Sequence, residues 1–225
     1  MGPDPHAPQG DEVTHFLLLH GFLGQPEQWQ WLERELQGRG HTTRALSLPR
    51  GSWDEEIAFV HRQVLAEDRP TVVVGHSLGG ALVRSFAVVH PDVAFGLATI
   101  AATPPYFHTD VISDIGAFDE RGWFVPDLPA WLEKAFPGAP EELATFRWEQ
   151  PPLRGDQPDG EPSGSEPRLA ILAEDDAMVP AAEQERAAAA LRAPTAWVPG
   201  GHSPHVRHPA LVATLLANWL TPEGA

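Results

Sequence analysis

Short apolar runs alternate with amphipathic stretches along this chain, which is how a parallel sheet covered by helices reads. Phe16–His20 has the character of a buried strand, and a turn and a helical stretch from about Pro26 to Gln37 follow it. Gly38 and Gly40 stop that helix, and Thr42–Leu48 reads as the next strand. Trp53–Ala66 carries Ile57, Val60 and Val64–Leu65 on one face, the spacing of a helix. Thr71–Val74 is a short β-branched strand, Leu78–His90 a helix ended by Pro91, and Phe95–Ala102 another strand.

After Thr103-Pro104-Pro105 the rhythm breaks. No strand alternation is visible from about Pro104 to Pro167, yet aromatic residues are dense there, and the stretch Pro151–Pro167 is nearly all Pro, Gly, Asp, Glu and Ser. That composition reads as a mobile linker. The alternation then resumes with a strand at Arg168–Ala173, an Ala-rich helix at Ala181–Leu191, a strand at Thr195–Val198 and a closing helix at Pro209–Leu220. The pattern predicts one α/β domain of about six mostly parallel strands flanked by helices. Residues 1–14 read as a flexible tail, 15–103 and 168–222 as the core, and 104–167 as an insertion ending in the Pro/Gly-rich linker.

Composition narrows the function classes. The chain has 225 residues, with 15 Lys and Arg against 31 Asp and Glu, a net charge of −16. Such a field repels nucleic acid and anionic lipid, so neither is expected as a partner. A hydrophobic fraction of 42% with eight Trp is ample for a packed core. The absence of Cys excludes disulfides, thiol catalysis and thiolate metal sites. Residues Met1–Asp11 are polar with no basic start, and no apolar run approaches the ~20 residues that span a bilayer, so the expected location is cytoplasmic.

Gly75-His76-Ser77-Leu78-Gly79 falls directly between the Thr71–Val74 strand and the helix starting at Leu78. A serine at a sharp strand-to-helix turn holds its hydroxyl exposed in a strained backbone, and the flanking glycines avoid collision with neighbouring elements. The helix N-terminus behind it offers free N–H groups to a developing oxyanion. The bland alternative is a Gly-rich turn whose Ser only caps a helix. A serine nucleophile needs a base, and the base a carboxylate. Downstream, one strand runs into Glu174-Asp175-Asp176-Ala177-Met178-Val179-Pro180 and the next into Gly200-Gly201-His202-Ser203-Pro204-His205. Acid and imidazole thus emerge at the C-terminal strand ends, where parallel sheets place their ligand sites.

On these marks, together with Leu19-His20-Gly21-Phe22-Leu23-Gly24, the chain resembles the α/β-hydrolase fold superfamily from Phe16 to Leu220. The resemblance implies Ser77 as nucleophile, His202 as general base and Asp176 as its partner, with an oxyanion hole from the backbone N–H groups of Phe22 and Leu78. It makes the insertion a helical lid. The family's Asp-x-x-Val-Pro spacing selects Asp176 over the adjacent Asp175, and His202 follows the glycine pair as the family's catalytic histidine does. His205 and His208 fit lid contact or surface better. His76 reads as a packing or hydrogen-bonding residue, and His20 as a brace for the oxyanion loop. A metal site at His202-x-x-His205 is not expected, and no cofactor is. Relatives often carry Asp-x-x-Gly-x-Gly after the second strand. Here Ser47-Leu48-Pro49-Arg50-Gly51-Ser52 keeps the turn and loses its acidic and second glycine positions.

The expected chemistry is hydrolysis of a small, neutral carboxylic ester by acyl transfer, with a small molecule as the only implied partner. The aromatics Trp29, Tyr106, Phe107, Phe118, Trp123, Phe124 and Trp131 are candidates for lining an acyl or alcohol pocket, although for each of those in the insertion, taken singly, a core for the insertion itself is the stronger expectation. Two alternatives stand beside this reading. His20-Gly21-Phe22-Leu23-Gly24 followed by Trp29 is similar to the menaquinone-pathway synthase that eliminates pyruvate from a succinyl-cyclohexene carboxylate, for which Arg84, Arg121, Arg147 and Arg154 would supply carboxylate clamps. A non-catalytic ligand-binding member of the fold is the other.

Overall fold

In the computed structural model, which describes residues 13–105, 111–138, 140–145 and 155–220, the apolar rhythm resolves into alternating strands and helices. The first half runs β1 (His15–Leu19), α1 (Gln30–Gln37), β2 (Thr42–Leu46), α2 (Trp53–Leu65), β3 (Thr71–His76), α3 (Leu78–Val89) and β4 (Gly96–Ile100). The insertion holds α4 (Val111–Ile115), β5 (Gly116–Phe118), β6 (Phe124–Pro126) and α5 (Leu128–Ala135). β7 (Arg168–Ala173), α6 (Ala181–Leu191), β8 (Thr195–Val198), α7 (Pro204–Arg207) and α8 (Pro209–Trp219) close the chain.

Six strands form one parallel sheet in the order β2-β1-β3-β4-β7-β8. The inner strands β1, β3, β4 and β7 read as nearly unbroken apolar runs because both faces are covered, whereas the edge strands β2 and β8 are partly exposed. Phe16 and Leu18 of β1, with Val72 and Val74 of β3, point to the side of α1 and α8, where Leu32, Leu36, Val212 and Leu216 meet them. The residues between, Leu17, Leu19 and Val73, point the other way, onto Ile57 and Val60 of α2 and Leu82 and Phe86 of α3. The period-2 alternation of a pleated strand thus feeds two cores. Helix α2 starts where the sequence would start it: Ser52 accepts from the Glu55 N–H while the Glu55 side chain returns to the Ser52 N–H.

Within the insertion, β5 and β6 form an antiparallel hairpin that the sequence pattern does not announce. Its strands are too short for an alternation to be readable. The turn is set by Asp119, whose carboxylate accepts the N–H groups of Arg121 and Trp123, and by Gly122 at φ +74°. Residues 1–12 lie outside the described residues. Of the Pro151–Pro167 stretch, residues 155–167 are described. They carry no regular secondary structure, but they are tethered: Arg84 of α3 donates to the carbonyls of Pro158 and Gly160, and Asp92 accepts from the Ser165 N–H and hydroxyl. Among the described residues no helix is long and apolar enough to cross a membrane.

Candidate active site

Ser77 sits at the joint of β3 and α3 with φ +54° and ψ −120°, a conformation that side-chain-bearing residues rarely adopt. Close packing makes the neighbouring glycines obligatory. A Cβ on Gly75 would lie 2.1 Å from the Gly79 carbonyl oxygen, and one on Gly79 would lie 2.4 Å from that of Leu19. The Ser77 N–H is bonded to the Ile100 carbonyl at 3.0 Å, which locks the joint to β4. The serine is nearly buried, with 7% of its surface exposed.

Asp176 and His202 arrive from the loops after β7 and β8 and meet at 2.9 Å, His202 Nδ1 donating to Asp176 Oδ2. Both side chains are buried. With Nδ1 carrying the proton, Nε2 is left as the basic lone pair. Asp176 is held on every side: Oδ1 accepts the N–H groups of Met178 at 2.7 Å and Val179 at 2.9 Å, and Oδ2 also receives Gln184 Nε2 at 3.3 Å. Asp175 is instead exposed, at φ +55°, so of the two acids Asp176 is the one that faces the imidazole. The Ser77 hydroxyl makes no hydrogen bond to His202 among the described residues. The elbow is nevertheless tied to the histidine through its neighbour: His76 Nε2 donates to the His202 carbonyl at 2.8 Å.

The loop after β1 closes over the elbow. A Cβ on Gly21 would come within 2.8 Å of Ser77 Cβ, so only a glycine lets this turn approach the serine so closely. Gly21–Gly24 is a tight turn closed by the Gly24 N–H on the Gly21 carbonyl at 3.0 Å, with Phe22 and Leu23 at its corner. His20 braces it, as its place in the sequence predicts, through Nδ1 to the Gly21 carbonyl at 3.0 Å. No backbone acceptor among the described residues takes the N–H of Phe22 or of Leu78. Burial pushes the His20 imidazole down to about 4, so it is neutral at physiological pH.

Beneath the histidine lies a buried aromatic cluster. His205 is not the lid or surface residue that its position in the sequence predicts. It is fully buried, 4.5 Å from the Trp29 ring and 4.4 Å from that of His76, and burial pushes it down to about 3. Pro204 opens the short helix α7 and turns His205 inward behind His202. His76 is likewise held well below the ordinary histidine range, by burial and then by the neighbouring imidazoles.

The candidate pocket aromatics divide. Trp29 is fully buried in the core with Leu32 and Leu36, which removes it from any pocket wall. Phe124 and Trp131 are buried in a cluster with Ile115, Phe136, Met178 and Val206 that joins the insertion to the core. Phe124 also packs on Phe22, ring centres 5.2 Å apart. Phe118 stacks edge-on against Phe124 and is 59% exposed, and Trp123 lies under the Arg121 guanidinium. Tyr106 and Phe107 fall outside the described residues. The Ser203 hydroxyl, donating to the Ala135 carbonyl at 2.6 Å, fastens the insertion beside His202.

Gln184 is a site residue that sequence reading misses. It is fully buried, and its amide spans the Ala173 N–H and carbonyl, the Val179 carbonyl and Asp176. The signal was a single long polar residue on the apolar face of an Ala-rich helix.

A parallel sheet of this strand order, sheathed in helices and carrying a serine at a strand-to-helix joint, is the architecture of the α/β-hydrolase class. Residues 16–215 match the alpha/beta hydrolase family, and the chain belongs to that family. Its fold is similar to that of a pyrethroid hydrolase from Sphingobium faniae, at 24% identity over 92% of this chain and 97% of that one, with a TM-score of 0.77. It is also similar to polyneuridine aldehyde esterase, at 17% identity over 92% and 99% of the two chains and a TM-score of 0.78. A methylesterase from Arabidopsis matches at 16% identity over 92% and 98%, with a TM-score of 0.72.

Proposed function

We propose that the protein is a serine hydrolase that cleaves small, neutral carboxylic esters through an acyl-enzyme, with the insertion as its lid. The observation that carries this reading is the buried His202–Asp176 pair beside the elbow that presents Ser77. In the proposed cycle Ser77 Oγ attacks the ester carbonyl carbon while His202 Nε2 takes its proton. The oxyanion of the tetrahedral intermediate is received by the N–H groups of Phe22 and Leu78. His202 then returns the proton to the departing alcohol, and a water, deprotonated by the same imidazole, releases the acid and restores Ser77. Asp176 keeps the Nδ1–H tautomer in place throughout.

Three considerations favour an ester as substrate. The structural relatives named above are a hydrolase and two esterases. The net charge of −16 disfavours polyanionic substrates. Two of the arginines that a pyruvate-eliminating reaction would need are otherwise engaged: Arg84 holds residues 158 and 160, and Arg121 is paired with Asp119 over Trp123. Steady-state hydrolysis of p-nitrophenyl esters of increasing acyl length tests the reading. Turnover that peaks at one length and vanishes in Ser77→Ala is the expected result. A well-folded wild type that turns over none of them, or an active Ser77→Ala, overturns it.

A further inference from the structure

The oxyanion turn is held at its far end by a residue that the cycle above does not use. The Gly24 carbonyl accepts Arg50 Nη2 at 2.6 Å, so the turn that carries Phe22 is clamped twice, by His20 at Gly21 and by Arg50 at Gly24. Arg50 takes this position at φ +60°, in the left-handed region that favours glycine, although Gly51 is the very next residue. Its own N–H donates at 2.6 Å to Oε1 of Glu56, a carboxylate buried to 4% exposure on α2. The second oxygen, Glu56 Oε2, is buried without a hydrogen-bond partner among the described residues. Arg50, Glu56, His20, Gly21 and Leu78 together wall a small cleft directly behind the elbow and the turn.

Stability alone does not favour this arrangement. A glycine at position 50 would relieve the backbone, and an apolar residue at position 56 would avoid burying a charge. Strain and a buried ion held together at one spot point to a role at the spot they hold. We propose that Arg50, steadied by Glu56, is a positioning residue for the oxyanion hole, fixing through the Gly24 carbonyl the direction in which the Phe22 N–H points. The proposal deepens the hydrolase reading and rests on it. Arg50 acts through the turn and touches no reacting atom. Its loss therefore weakens transition-state stabilisation and leaves ground-state binding of the ester alone.

The test is Arg50→Gly, which adopts φ +60° without strain and keeps the backbone N–H on Glu56, alongside Arg50→Lys and the double variant Arg50→Gly/Glu56→Gln, which leaves no uncompensated buried charge. Esterase kinetics and amide deuterium exchange over residues 21–25 are measured on each. Expected are a fall in kcat of about tenfold to a hundredfold with KM within about twofold, partial recovery in Arg50→Lys, and faster exchange confined to the turn. Wild-type kcat in Arg50→Gly and in the double variant overturns the proposal. So does a loss that appears in KM or in melting temperature alone, which marks a merely structural tie. If wild type and Ser77→Ala are equally inactive on esters, the hydrolase reading has failed, and exchange decides the clamp by itself: an unchanged rate over 21–25 in Arg50→Gly overturns it.

Discussion

Asp176 shows how completely one side chain can be specified by its surroundings. Its two oxygens take four donors, from Met178, Val179, Gln184 and His202, so the carboxylate has no freedom to turn away from the imidazole. An asparagine there would present either an N–H₂ to His202 or an oxygen at the expense of the Met178–Val179 turn, and the proton would no longer be fixed on Nδ1. Asp176→Asn is therefore expected to lower kcat by about 10⁴ with little change in KM. Asp175→Asn, at an exposed neighbour, should leave kcat within about twofold. Equal losses in the two variants, read from initial rates, would show that the acid has been misassigned. The strand-to-helix joint that carries Ser77 and the contact of His202 with Asp176 were legible because each rests on a short local motif whose spacing carries its meaning. The contacts of Arg50, Gln184 and His205 were not, because no local spacing marks them: Arg50 reaches Gly24 across 26 residues, Gln184 folds back onto the loop after β7, and His205 packs on Trp29 and His76.

The elements were read with unequal success, and burial explains the difference. β7 and α6 fall on the residues that the sequence marks, because a doubly covered strand or an Ala-rich helix leaves an unbroken composition signal. The hairpin β5–β6 was invisible, since short strands stabilised by one aromatic pair, Phe118 on Phe124, leave no periodicity to detect. Composition also reads the Pro151–Pro167 stretch as mobile. Its described part instead supplies the return path from the insertion to β7, pinned by the buried Arg84 to α3. Arg84→Ala should destabilise the protein by about 1.5–3 kcal/mol, the usual loss for bonds to a charged group. It should also open residues 155–167 to limited proteolysis, while leaving the secondary structure measured by circular dichroism unchanged. Unaltered protease resistance would show that the segment is held by packing and not by the guanidinium.

For the whole molecule, the buried imidazoles set an acid limit. His20, His76 and His205 are neutral when folded, mainly because burial disfavours their charged forms, with folded values of about 4 for His20 and about 3 for His205. In the unfolded chain each titrates near the usual value of about 6.5. The unfolded state thus binds more protons once pH falls below that point, and stability is lost progressively from there towards the folded values. His15, His41 and His90, also lowered mainly by burial, act in the same sense, whereas Glu56, pushed up by burial, acts against it. Urea unfolding at pH 7 and pH 5.5 should differ by about 1 kcal/mol for each fully buried histidine, roughly 3 kcal/mol for the three. His205→Phe should flatten that slope, and a slope that does not change would place the proton uptake elsewhere. The overall architecture was legible from hydrophobic rhythm alone, and so was the sheet of six strands, but the pairing of β4 with β7 across the whole insertion was not, because no local signal records which strand waits for which. That pairing has a consequence in time. β1 to β4 form one continuous block both of the chain and of the sheet, so a nascent chain can bury them as they emerge, with Ser77 already in its strained bend. The imidazole and its acid belong to the last strands to be synthesised. On the hydrolase reading proposed above, the half-made protein would carry a bare alcohol without its base until the final edge of the sheet is laid down.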